Sequence, residues 1–449
     1  MEDGLPIRRR LVAILALGFG TSLAVIDGTI VNVALPTIAR DLKTDNASAV
    51  LVVTVYQLVL VMSLLPMAAL GQYIGLRKVY QSGQVLFVVA TMLCFFANSL
   101  PYLLIVRAFQ ALGAATVLSM STALLRSVYP SAQLGRGLAV NSVIVSVSSA
   151  LAPTLGGGIL ALADWPWVFA APVPFGLLSL ALGRALPKVP GHGESFDILA
   201  AVMCALTMGL VITGLEGSIH GDSPVVSIFL VLVGVVIGVI FVRRELREPQ
   251  PIMPLDLLAK PVLALSALGS FIAFMVQMTV LVWLPFRLQH GYEFSPAQVG
   301  AMLAAAPMTT MIAGPVAGIL SDKYHAGILG GIGMTVAIAG LLALSSLPPE
   351  PHYFDIAWRM ALFGAGMGLF MPPNARMIIR HAPDHRTAAA GGLISTVRLT
   401  GQTIGATLAA ALLAIGLGDG GTPAIIAACL ALMAGFASVA RLKTAKITR

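Results

Sequence analysis

Three charged residues of this 449-residue chain lie deep within long apolar stretches: Asp27, Arg107 and Arg398. Asp27 belongs to the run IDGTIVNVALP over residues 26–36, and it is the one member of the 19 acidic residues placed well inside such a stretch. An ionisable group in hydrocarbon is costly and marks a functional site by default. Its chemistry would be a competition: loss of water favours the protonated carboxyl, and a nearby cation favours the carboxylate. Such a site takes a proton or a positive charge in turn. The plainer alternative is a carboxylate that hydrogen-bonds backbone or the Thr29 hydroxyl and only orders its helix.

The elements that must hold these groups are membrane spans. At 58% hydrophobic and 10% charged, the chain is excluded from the soluble class, where about 25% of residues are charged. Apolar runs near the length a helix needs to cross hydrocarbon fall at 11–36, 49–70, 78–98, 101–126, 136–161, 166–186, 197–216, 224–242, 261–286, 297–320, 327–346, 355–374, 387–416 and 421–440. Fourteen spans are therefore expected in an all-α membrane protein. The net charge of +8 does not indicate nucleic acid. Numbered from an inside N-terminus, the inside loops hold 21 of the 27 Lys and Arg, the outside loops 3 and the spans 3. That split follows the positive-inside rule and predicts both termini cytoplasmic. Arg287 is counted to an outside loop and Arg441 to the inside end. The four tryptophans fall at predicted outer ends, as interfacial anchors.

Depth follows from a rise of 1.5 Å per residue. Asp27 lies roughly 13 Å below the outer end of span one and Arg107 roughly 9 Å into span four. Tyr56 and Gln57 on span two share that level, and Gln110 is one turn below Arg107. These five residues are expected to line one cavity in the N-terminal half. Arg398 reads as a second-half counterpart or as a group tied to a backbone carbonyl. Glu216 ends span seven and reads chiefly as a solvated helix end, with a proton or cation entrance as the alternative. Met275, Met278 and Gln277 suit a soft apolar pocket, although such residues are more often core. Cys94, Cys204 and Cys429 lie in three separate spans and read as packing residues rather than a disulfide or metal set. No metal site is expected.

No soluble domain interrupts the spans, and no Walker A pattern is present. Uphill work would then draw on an ion gradient, with no cofactor. The segments AALGQYIGLRK (68–78) and GILSDKYHAG (318–327) form a weak repeat. It suggests two parallel six-helix halves, 1–190 and 256–449, separated by a two-helix insert and connector over 191–255. Pro153 with Gly156, Gly157 and Gly158 suggests either tight helix packing alone or a bendable, closely packed seam between the halves.

Several motifs together resemble the fourteen-spanner drug:proton antiporters of the major facilitator superfamily (QacA- and EmrB-like). The run 26–36 resembles their span-one motif, LLIVRAFQALGAA (103–115) their span-four motif with its membrane arginine at Arg107, and APTLGG (152–157) their span-five motif. WPWVFAAPVP (165–174) is similar to the segment opening span six, and FDILA (196–200) to the start of the insert. The resemblance implies the major facilitator fold, alternating access, and export of hydrophobic, often cationic compounds in exchange for protons. It makes Asp27 the proton-coupling or cation-binding residue and Arg107 the group that tunes proton release. It further implies a bacterial inner-membrane location and small-molecule partners, and a monomer is expected. Gln72 departs from the pattern, which has an acid there that latches the two halves. Tyr73 stands where the pattern often has arginine, the second-half loop keeps Asp322 and Lys323, and Arg77 is counted with these conformational-motif residues. Export or import of one endogenous metabolite is the alternative function; a receptor or membrane enzyme lacks support in the motifs.

If Gln72 has cost the chain a latch, Gln72→Glu will shift the resting balance between open and closed forms. Thiol labelling of single cysteines placed at either mouth of the cavity reads that balance. Identical labelling in the parent and the variant contradicts the latch.

Overall fold

In lipid every backbone N–H and C=O must be satisfied within its own segment, so an apolar chain of this kind folds as helices. The computed structural model describes residues 4–130, 133–191, 197–219, 223–248, 255–382 and 387–444. The first half comprises α1 (Ile7–Asp41), α2 (Asn46–Ile74), α3 (Leu76–Cys94), α4 (Leu100–Val128), α5 (Leu134–Leu162) and a broken segment, α6 (Pro166–Ala170) with α7 (Val173–Leu182). An inserted hairpin follows, α8 (Ile198–Ile219) and α9 (Pro224–Glu245). The second half comprises α10 (Pro261–Phe286), α11 (Pro296–Lys323), α12 (Ala326–Ser345), α13 (Tyr353–His381), α14 (Thr387–Ala414) and α15 (Thr422–Thr444).

Among the described residues, 12 segments are long and apolar enough to cross a membrane, not the fourteen expected. The two that fall short are α3, which opens on Arg77 and Lys78, and α13, which carries Asp355, Arg359, Asn374, Arg376 and Arg380. Both are packed into the halves, α3 against α4 and α13 against α11 and α12. Span one is longer than its apolar run: α1 carries Pro36 within it and ends at Asp41. Span six breaks near Pro172, where the ring removes a helical donor.

The halves meet along two seams, α5 with α11 and α2 with α14. At the end of the bundle away from the termini, the α5–α11 seam is closed. A Cβ on Gly300 would stand 2.3 Å from the Pro153 carbonyl oxygen, and one on Gly157 would stand 2.5 Å from that of Pro296. Only glycine permits two backbones to approach so closely. Gly156 meets Ile30 of α1 instead. Nearby, Gln289 Nε2 donates to the Val33 carbonyl at 3.0 Å, joining the two halves directly. Toward the termini the seam loosens, and Met308, Met311, Ile312, Val316 and Ile319 of α11 are exposed.

The hairpin α8–α9 packs on the outside of this body. α8 touches α2 and α14, and α9 packs chiefly on α8. Asp197 accepts from the Ala200 N–H at 2.9 Å and pairs with Arg244 at 2.8 Å, closing the base of the hairpin.

Among the described residues, the first polar turn of the weak repeat bonds within its own half. Arg77 donates to the Leu186 carbonyl at 3.3 Å, within its own half. Gly75, at φ 116, lies against the Val189 carbonyl oxygen. Gln72 and Lys323 are exposed, and the side chain of Asp322 lies outside the described residues.

Two placements differ from the sequence expectation. Trp165 and Trp283 are buried rather than interfacial, and Trp283 Nε1 donates to the Gly418 carbonyl at 2.6 Å. Arg287 and Arg441, assigned to loops by charge counting, are 5% and 1% exposed. Arg287 caps the Leu344 carbonyl at 3.0 Å, and Arg441 binds Ser266 Oγ at 2.9 Å together with Asn374.

Gly300→Ala is expected to lower stability by about 1–3 kcal/mol through overpacking at the closed seam. Gly318→Ala in the same helix meets nothing within 4 Å and should be neutral or stabilising by up to about 1 kcal/mol. Thermal unfolding in detergent reads both; equal shifts would contradict the seam.

Candidate functional site

The site is assembled from four helices of the first half. Asp27 comes from the middle of α1, Tyr56 from α2, Thr91 from α3, and Arg107 and Gln110 from α4. The i, i+3 spacing of Arg107 and Gln110 puts both on one face of α4. Gly28, beside Asp27, leaves room for the Tyr56 ring, whose edge would lie 3.7 Å from a Cβ there.

The carboxylate is fully engaged. Arg107 Nη1 donates to Asp27 Oδ2 at 2.7 Å, and Gln110 Nε2 donates to Oδ1 at 2.8 Å. Arg107 Nη1 also reaches Gln110 Oε1, and its Nε donates to the Val52 carbonyl at 3.2 Å. Gln110 Nε2 is shared with Thr91 Oγ1 at 2.8 Å, and Thr91 in turn donates to the Phe87 carbonyl. The guanidinium carbon stands 4.1 Å from the centre of the Tyr56 ring and 5.4 Å from that of Phe169. Both charges are removed from solvent: Asp27 is 0% and Arg107 1% exposed. Thr29 does not hold the carboxylate; its hydroxyl donates to Val25.

The expected grouping of Asp27, Tyr56, Arg107 and Gln110 is therefore one connected network. Gln57 is buried on α2 but takes no part in it. Thr91 is the member that the sequence reading missed. A threonine in an apolar span carries no signal of its own until α3 is placed beside α4.

The second-half candidates divide. Met275 and Met278 are buried in the core, and Met275 is pressed against Gly401 and Gly405 of α14. Gln277 is half-buried on α10. Arg398 is half-buried on α14 and forms no hydrogen bond or ion pair with a described residue, so it is not tied to a carbonyl. Glu216 is not a solvated helix end. It is 7% exposed and accepts from Thr407 Oγ1 of α14 at 2.6 Å, because α8 lies directly on that helix. Cys94 and Cys204 are buried; Cys429 is exposed.

This architecture can be set beside known proteins. The Major Facilitator Superfamily family model matches residues 17–406. The chain belongs to that superfamily. It is 43% identical over 440 residues to the "Uncharacterized transporter YebQ" of Escherichia coli, covering 95% of this chain and 96% of that one. It is 25% identical over 395 residues to the riboflavin transporter RibZ of Clostridioides difficile, covering 87% and 86%. It is 27% identical over 403 residues to the multidrug export protein EmrB of Haemophilus influenzae, covering 88% and 78%. Among solved structures, a bacterial homologue of the lysosomal transporter Spinster in an inward-facing conformation superposes with a TM-score of 0.71 at 15% identity, covering 98% and 99%. A POT family transporter in complex with 5-aminolevulinic acid gives 0.73 at 15% identity, covering 100% and 98%. The protein is thus a multi-pass membrane transporter of the major facilitator fold.

Breaking one side of a buried pair strands the other charge. Arg107→Ala is expected to destabilise the protein by about 3–5 kcal/mol. Adding Asp27→Asn should recover part of that loss, because the stranded carboxylate is gone. Melting curves of the single and double variants measure the coupling; strictly additive losses would contradict a direct pair.

Proposed function

We propose that this transporter is a proton-coupled exporter of amphipathic small molecules that works by alternating access, with Asp27 as its proton-carrying group. The observation that carries this reading is the fully buried Asp27–Arg107 pair. A buried ion pair contributes little to stability compared with an apolar replacement, so its presence in the hydrocarbon layer calls for another use. Protonating Asp27 would release Arg107 from its counter-charge and loosen α4 from α1. Losing the proton would draw them together again. Tyr56 and Gln110 hold the two members in register; Tyr56 supplies a cation–π face that keeps the guanidinium in place when the carboxyl is neutral. Since Arg107 and Gln110 occupy both carboxylate oxygens, a cationic substrate would reach Asp27 only after Arg107 has moved.

In this reading α3 and α13 also cross, giving fourteen spans with both termini cytoplasmic in a bacterial inner membrane. The seam closed at Pro153, Gly157 and Gly300 would then be the outer one, and the protein would stand open to the cytoplasm. Gly156 and the turns at Gln72–Arg77 and Asp322–Lys323 would bear on the change to the outward-open form. The transporter would act as a monomer driven by the proton gradient. The export proteins among its relatives support the direction. The riboflavin transporter among them supports a second reading, in which one specific metabolite is the cargo.

Energised everted vesicles containing the protein test the coupling. Ethidium, fluorescein and riboflavin are offered in turn, and the pH gradient is followed with acridine orange. A transported compound should discharge the gradient, and Asp27→Asn should abolish that discharge while the compound still binds. Equal discharge by Asp27→Asn and the parent protein would remove Asp27 from the proton path.

A further inference from the structure

Four helices form a closed ring in which each touches the next: α1 with α2, α2 with α14, α14 with α10, and α10 with α1. What faces the middle of this ring can be read from helix geometry. On α14, Gly401 and Gly405 are pressed against the backbone of α10 at Phe271 and Met275. Leu399 joins the apolar cluster of Tyr56, Leu60 and Leu64 on α2. Thr407 faces α8, outside the ring. At about 100° per residue, Arg398 falls between the α10-facing and α2-facing sides and away from Thr407. It therefore points into the ring. It stands roughly 16 Å along α14 from Thr387 by the helical rise, too deep for its head to reach the helix start.

The charges around it are few. Helices α2 and α10 contain no charged residue, and Arg398 is the one charge of α14. Within α1, Asp27 is the one charge away from the helix ends, and it is already matched by Arg107 of α4. Arg398 is thus left as an unmatched cation facing the interior, with no hydrogen bond to a described residue. Beside it on α10 are the half-buried Phe271 and Phe274, the latter with its Cβ 3.2 Å from the Cβ position of Gly401. An unmatched cation at this depth is costly, and guanidinium binds planar anions through paired donors.

We propose that Arg398 is the binding point for an anionic group, a carboxylate, sulfonate or phosphate, on a compound whose flat apolar body lies against Phe271 and Phe274. This rests on the transport reading above and deepens it. The cargo then carries negative charge at one end, unlike the cationic compounds that Asp27 alone would suggest. The Asp27 pair remains free to carry protons because the anion is held elsewhere, on the second half.

Equilibrium binding to the purified protein tests the site independently of proton coupling. The probes are fluorescein, an aromatic carboxylate, and ethidium, an aromatic cation, measured by anisotropy in phosphatidylcholine nanodiscs. Fluorescein should bind, and Arg398→Gln should weaken it roughly 10- to 100-fold, the scale of a charge-assisted hydrogen bond. Arg398→Lys should restore part of that loss, and ethidium should bind Arg398→Gln at least as well as the parent. Repeating the titration with phosphatidylglycerol added distinguishes the source of the anion: competition assigns it to a lipid headgroup, and no competition to a soluble cargo. Fluorescein binding that is absent, or equal in the parent and Arg398→Gln, overturns the proposal. Charge-selective binding by a parent protein in which fluorescein discharges no pH gradient would keep the anion site and reject the proton-coupled reading instead.

Discussion

A carboxylate and a guanidinium cannot both be taken out of water unless each satisfies the other, and the penalty per ion is still several kcal/mol after relaxation. The Asp27–Arg107 contact meets that requirement with a 2.7 Å hydrogen bond. It dictates much around it. Gln110 must bond the second carboxylate oxygen, Val52 must offer a carbonyl to Nε, and Tyr56 must cover the guanidinium face. Those demands fix how α1, α2, α3 and α4 are rotated about their axes. A change in the proton count at Asp27 would therefore be felt by every helix of the first half that holds the pair.

The halves are joined differently. Their closed end is a contact of backbone with backbone, made possible by Gly157 and Gly300, and it contains no ion pair among the described residues. Packing of this kind can part without stranding a charge. The polar network is confined to one half and the movable seam is made of small residues, so proton exchange and opening can be linked without being the same contact. The inserted hairpin lies outside this division. Its α8 leans on α2 and α14, one from each half, and its buried Glu216 accepts from Thr407 of α14.

How much of this was legible depended on how rare the informative residue is. Asp27, Arg107 and Gln110 could be placed together from depth alone, because charges inside apolar runs are few and a helix rises at a fixed rate. The helices themselves followed from hydropathy, although α3 and α13 carry too many polar residues at their ends to count by that measure. Arg287, Arg441, Trp283 and Glu216 were misjudged for one shared reason. Each lies near a helix end, where sequence cannot distinguish a solvated terminus from one covered by a neighbouring helix. Thr91 carried no signal, since a hydroxyl in a span usually bonds its own backbone, and Thr91 does that as well.

The central claim is that Asp27 gains and loses a proton in exchange with its contact to Arg107. Infrared difference spectroscopy of the purified protein across a pH titration observes that event directly through the carbonyl stretch of a protonated carboxyl. The account predicts a buried-carboxyl band that grows on acidification, disappears in Asp27→Asn, and shifts its titration when Arg107 is replaced by Lys. A band that persists unchanged in Asp27→Asn would contradict it.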